Sequence, residues 1–159
     1  MVKAKEELKQ AYNKDFYKWL QETRETIKSG KLENLDTEGI LEVIEDMSRT
    51  LERKLESFIM RLMVHIYKWE NFPEKRSKSW RFSIISSQKE IKSLLEKNPS
   101  LKGKVEDLIQ EAWDKATDWI VAETNLEYED LPEKCPYTFD YIISFFPDKE
   151  DLAKWPYNT

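Results

Sequence analysis

Between about Thr37 and Glu70, apolar side chains return every three or four positions: Ile40, Ile44, Met47, Leu51, Leu55, Phe58, Leu62, Ile66 and Trp69. That spacing holds one stripe on one side of a helix. Asp36 stands where an N-cap belongs, and Glu38 follows in the first turn, facing the positive end of the helix dipole. At 1.5 Å per residue the segment predicts a helix of roughly 50 Å. A stripe of that length needs shorter helices laid along it.

Upstream, Tyr12, Phe16, Trp19, Leu20, Thr23 and Ile27 predict one shorter amphipathic helix, with Gly30 as its C-terminal stop. Residues 31–35 connect it to the long helix. Downstream, Asn71-Phe72-Pro73 ends the long helix, because Pro73 biases Phe72 away from helical dihedrals. A third helix is predicted from Ser77 or Ser79 to about Glu96, through Trp80, Ile84, Ile85, Ile91, Leu94 and Leu95, with Gln88 as a polar break. Asn98-Pro99 ends it and predicts a fourth helix that starts at Pro99, capped by Asn98, and runs to about Asn125. Leu131 to Tyr137, with two prolines, reads as an extended crossover. Thr138 then caps a short helix through Tyr141, Ile142, Phe145 and Phe146, stopped by Pro147. The tail, with Trp155-Pro156, is aromatic enough to dock.

The expected fold is therefore all-α: a helical bundle on one long central helix (about 37–70), with three or more shorter packing helices and an extended, aromatic-rich C-terminal segment. One domain over 1–159, with its core in about 12–147, suits a chain of 159 residues. Composition agrees, since 36% charged residues with only three glycines favour helices over a turn-dense β fold. Six Trp oppose disorder, because they supply large burial areas.

The single cysteine, Cys135, has no partner for an internal disulfide, which fits a reducing compartment. Met1 to Gln10 lacks the apolar core of a leader, and no apolar run reaches the roughly 20 residues of a membrane span. A cytoplasmic location without membrane association is the expectation. The net charge of −5 disfavours generic nucleic-acid binding, which draws its affinity from neutralised phosphates. The charge is unevenly placed. Six acids and no base lie between Glu33 and Asp46, whereas five bases (Lys68, Lys75, Arg76, Lys78, Arg81) face two acids between Lys68 and Arg81.

Candidate chemistry gathers at the turn after the long helix. His65, the only histidine, sits on the shoulder of the apolar stripe, where an imidazole serves either as acid/base or as a packed, hydrogen-bonded side chain. Trp69 and Trp80 bracket Lys75, Arg76, Ser77, Lys78 and Ser79. Cations and hydroxyls at a helix N-terminus suit a phosphate or carboxylate, and the alternative is a hairpin stapled by its tryptophans. The catalytic candidates are His65, Arg76, Ser77 and Ser79; the binding candidates are Lys68, Trp69, Lys75, Arg76 and Trp80. A triad of Ser77 or Ser79 with His65 and Glu70 or Glu74 lacks any nucleophile-elbow motif. Glu42 and Glu45 share a helix face but read as a solvated pair. No metal motif and no nucleotide loop occurs, so neither a metal nor another cofactor is expected.

Several clusters, in order, resemble the bacterial domain-of-unknown-function family 29. They are Asp15-Phe16-Tyr17 with Trp19-Leu20, Leu35-Asp36, and Glu42-x-Ile44-Glu45-x-Met47. His65, Lys68-Trp69, Pro73 and Arg76-Ser77-x-Ser79-Trp80 form the most distinctive block. Pro99-Ser100-Leu101, Pro132-x-x-Cys135-Pro136-Tyr137 and Phe146-Pro147 follow. The resemblance covers about residues 12–147 and departs at Ile66-Tyr67, where the family often carries leucines. It implies an α-helical bundle and brings no activity, substrate or cofactor. The expected role is a non-catalytic helical module that binds a protein partner or self-associates. The alternatives are a small-anion binder or enzyme at the His65/Arg76/Ser79/Trp80 corner, and weak nucleic-acid binding through 68–81.

Overall fold

The structure, a computed structural model, describes residues 5–154. Among the described residues, six α-helices follow in chain order: α1 (Lys5–Lys14), α2 (Phe16–Ser29), α3 (Thr37–Asn71), α4 (Lys78–Lys97), α5 (Val105–Glu123) and α6 (Phe139–Ser144). No strand occurs among the described residues. The chain divides into two compact units, Met1–Thr50 and Leu51–Thr159, and α3 contributes its first turns to one and the remainder to the other.

In the first unit, the single helix predicted over residues 12–27 is two. Asp15 is the reason: its carboxylate accepts from the Lys18 amide at 3.1 Å and opens α2 as an N-cap, although the apolar spacing runs on across the break. Tyr12, Phe16 and Trp19 form one ring cluster around this junction, with Phe16 stacked on Trp19 at 5.6 Å. Gly30 closes α2 at φ 77°, donating its amide to Ile27.

Asp36 is buried and does double service at the start of α3. One oxygen accepts from the Gly39 amide at 3.1 Å and the other from the Trp19 indole N–H at 3.2 Å. Gly39 lies close against both partners. A Cβ there would stand 2.5 Å from Asp36 Oδ2 and 2.8 Å from Trp19 Cζ2.

The second unit holds the main core. Leu55, Ile59, Leu62, Ile66 and Trp69 of α3 pack with Ile84, Ile91 and Leu95 of α4, with Ile109, Trp113 and Ile120 of α5, and with Ile142 of α6. The expectation that the whole α3 stripe is covered fails in its first half. Ile44 is 56% exposed and Met47 60%. The spacing is correct, but spacing alone does not supply a neighbour to cover each turn.

Ser77 caps α4, accepting from the Trp80 amide at 3.1 Å. The fourth predicted helix begins later than its proline suggests. Residues 99–104 form a 3₁₀ segment, and α5 opens at Val105. Asn98 does not cap forwards; its side-chain amide donates back to the Leu94 carbonyl at 3.0 Å and finishes α4. Leu131 to Tyr137, expected to be extended, is a non-helical crossover that bends at Leu131, Glu133 and Lys134 and is pinned where the Trp113 indole donates to Pro132 O at 2.8 Å. Thr138 caps α6, which ends at Ser144, short of the predicted Phe146. Gln88 is no mere polar break. Buried on α4, it donates to the carbonyls of Ile142 and Phe145, at 3.0 and 2.7 Å, and anchors the end of α6. Trp155-Pro156 lies outside the described residues.

Candidate functional site

The corner between α3 and α4 is built by the Phe72-Pro73 break, which turns the chain through a 3₁₀ turn at Pro73–Lys75 before Ser77 starts α4. Lys68, in the last turn of α3, is buried and extends its Nζ to Glu123 Oε2 at 2.7 Å. The same ammonium lies 4.7 Å from the centre of the Trp80 ring. Burial alone would push the Glu123 carboxyl up. Hydrogen bonds from Lys68 and Trp119, with the Lys68 charge, outweigh it and hold the carboxyl below its ordinary value. Lys68, Trp80 and Glu123, with Phe72, Lys75, Thr124 and Asn125, line a small cleft of about 120 Å³.

Of the predicted residues, His65, Trp69, Arg76, Ser77 and Ser79 do not line that cleft. His65 is buried; its Nδ1–H donates to the Arg61 carbonyl at 2.7 Å, and its ring meets the Trp119 ring edge-on at 5.6 Å. Burial pushes its pKa down, the bond to Arg61 O opposes this in part, and the charges of Lys68 and Arg61 push it further down. The imidazole is therefore neutral at pH 7. Arg76 donates Nε–H to the Trp69 carbonyl at 2.6 Å and lays its guanidinium over the Trp69 ring. Ser77 is the α4 cap, Ser79 is exposed, and Lys75 lies 5.9 Å from the Phe72 ring centre. Glu70, one acid of the conceivable triad, accepts instead from Tyr137 at 2.7 Å and from Tyr141. Burial and this bond raise Tyr137 far above the ordinary phenol value, and Tyr141 is pushed up to about 12 by its bond to Glu70. The structure thus joins Lys68 to Trp80 and Arg76 to Trp69, and leaves His65 among different neighbours.

The family model described as "Domain of unknown function DUF29" matches residues 11–146. The chain belongs to that family. No curated protein and no solved structure matches it. In this DUF29 chain, no three His, Cys, Asp or Glu side chains among the described residues gather as a metal ion would require. No helix among them is long and apolar enough to cross a membrane. Cys135 is half-buried, its Sγ 3.5 Å from Met63 Sδ and 3.4 Å from the Tyr137 carbonyl, and burial pushes its thiol up.

A larger concave surface of this DUF29 chain was not anticipated. Lys78, Arg81, Phe82, Ile85, Ser86 and Lys89 of α4, with Lys149 and Leu152 of the C-terminal segment, line a cleft of about 490 Å³. The α4 residues recur at intervals of three and four, so they occupy one side of the helix. Phe82, 66% exposed, forms part of an apolar floor, and four cations surround it. Arg81 fixes the C-terminal segment by donating Nε–H to the Pro147 carbonyl at 2.8 Å, and the Ala153 amide donates to Arg76 O at 2.9 Å. The α4 half was legible as Lys78-x-x-Arg81-Phe82-x-x-Ile85-x-x-x-Lys89. Nothing local ties Lys149 and Leu152 to it.

Proposed function

We propose that this chain is a non-catalytic protein-interaction module, and that its N-terminal unit carries the docking face. The observation behind this reading is the exposure of Leu41, Ile44 and Met47 at the start of α3, joined in the same unit by Phe16, Leu20 and Ile27 of α2. On a helix at 100° per residue, Leu41, Ile44 and Met47 fall within about 120° of one another, a contiguous strip rather than scattered positions. Single exposed apolar residues are ordinary, whereas a rimmed strip of them marks an interaction surface. Glu38 and Glu45 border one side of the strip, so the partner surface would be apolar with a basic edge.

The corner around Lys68 supports this reading over catalysis. His65, Lys68, Arg76 and Ser77 each already hold a partner within the fold. Nucleic-acid binding through 68–81 is disfavoured on the same ground, since Lys68, Arg76 and Arg81 are each committed to internal acceptors.

A photo-crosslinking amino acid placed at Ile44 or Met47 tests the proposal. The expected result is a discrete higher-mass product from these positions and none from Lys92, an exposed polar site on α4. Equal products from all three positions, or none from any, would reject the docking face.

A further inference from the structure

We infer that the acidic, apolar start of α3 in one copy seats in the basic-rimmed α4 cleft of a second copy. The inference rests on the docking role proposed for the α3 strip and names its partner as the same chain.

The two surfaces are both apolar at their centres and opposite in charge at their edges. The cleft has an apolar floor of Phe82, Ile85 and Leu152 beneath Lys78, Lys89 and Lys149. No ion pair ties those three lysines to a carboxylate among the described residues. Its volume of about 490 Å³ lies in the range of pockets that enclose a ligand, so it can receive several aliphatic side chains rather than one. The α3 strip offers Leu41, Ile44 and Met47, each more than half exposed. Beside Leu41, at about 40° and 60° around the helix, stand Glu45 and Glu38, inside a stretch from Glu33 to Asp46 that contains no base. Insertion would remove both apolar surfaces from water and set the acids against the lysine rim. Opposite potentials of this kind fix orientation and speed encounter. An interface that joins different patches on the two copies is heterologous unless it closes reciprocally.

Sedimentation velocity on the full chain, at rising protein concentration, tests the inference. The wild-type sedimentation coefficient should climb with concentration at about 0.01 M ionic strength and climb less at about 1 M, where the screening length shrinks from about 30 Å to about 3 Å. Lys89→Glu with Lys149→Glu should weaken association by about tenfold or more at low salt, as should Glu38→Lys with Glu45→Lys, because each sets like charges face to face. Mixing the two doubly reversed proteins should restore it, since each then carries a surface complementary to the other. Phe82→Ser and Met47→Ser should weaken it without charge reversal, and circular dichroism should remain helical throughout because all these positions are at the surface.

A wild-type chain that stays monomeric at low salt up to its solubility limit overturns the inference. So does association that ignores both pairs of reversals, or a fatty-acid-like anion that fills the cleft in a chain that remains monomeric. In each case, crosslinks from Met47 to a different protein would leave the proposed docking role standing. Loss of both readouts removes the two together.

Discussion

The ammonium of Lys68 lies 2.7 Å from a carboxylate oxygen of Glu123, a residue 55 positions further along the chain. Lys68 is buried while Glu123 is nearly half exposed, so the two partners stand to lose differently. Truncating Glu123 to Ala strands a buried cation, yet water reaches the site from the Glu123 side. The expected destabilisation is about 1 kcal/mol, toward the low end for a lost charged hydrogen bond. Lys68→Met keeps the stem packed and removes the charge, and should lie within about 1 kcal/mol of wild type. Urea denaturation of the two single variants and the double variant measures the coupling.

Gly39→Ala reverses the usual helix rule. In an open helix the change stabilises by about 1 kcal/mol. Here the new Cβ would meet the buried carboxyl of Asp36 and the Trp19 ring, and moving Asp36 loosens both the cap and the indole hydrogen bond. A net loss of about 1–3 kcal/mol is expected, read from the denaturation midpoint together with Trp fluorescence.

The unequal cover of α3 predicts an unequal mutational response along one stripe. Leu62→Ala empties a fully buried position and should cost about 2–5 kcal/mol. Ile44→Ala removes a side chain that faces water and should stay within about 0.5 kcal/mol. Similar losses at the two sites would contradict the exposure of the first turns.

His65 makes stability depend on pH in a defined direction. Its folded pKa is pushed below the ordinary value of 6.5 by burial first, so the unfolded chain binds the proton more readily. The contribution is fully present above about pH 6.5 and is lost as pH falls towards the depressed folded value. His65→Gln should flatten the slope of unfolding free energy between about pH 7 and pH 5.5. The remaining acid sensitivity should appear lower, where carboxylates such as Glu123 take up protons.

Gln88→Ala releases the carbonyls of Ile142 and Phe145 together. A loss of about 1–3 kcal/mol is expected, with faster limited proteolysis near residues 142–147. Gln88→Glu should not rescue it, since a carboxylate offers no N–H to either carbonyl.

The sequence discloses elements more fully than their surroundings. Both ends of α3 were legible because Asp36 and Phe72-Pro73 are local signals whose geometry does not depend on distant residues. The break at Asp15 was not, because the Tyr12–Phe16–Trp19 spacing continues through it and only the side-chain bond to Lys18 decides the matter. Pro99 suits the first position of a 3₁₀ turn as well as an α-helix, so the late start of α5 was hidden.

At the candidate site, the attachment of Lys68 to Trp80 follows from a hairpin the sequence foretold. The diversion of Arg76 to the Trp69 backbone and of Glu70 to two tyrosines does not, since side chains choose among partners only once the backbone is set. The exposure of Ile44 and Met47 was illegible for a related reason. Periodicity reports which side of a helix is apolar and is silent on whether anything lies against it.

The half-buried sulfur of Cys135 has a practical consequence for following this protein in solution. It is the sole thiol of the chain, and burial keeps its thiolate scarce at neutral pH. A second cysteine installed on an open helical turn, as in Lys92→Cys, would outrun it with a maleimide dye. Fluorescence anisotropy or energy transfer can then be recorded from one labelled position, with the native sulfur left in place beside Met63.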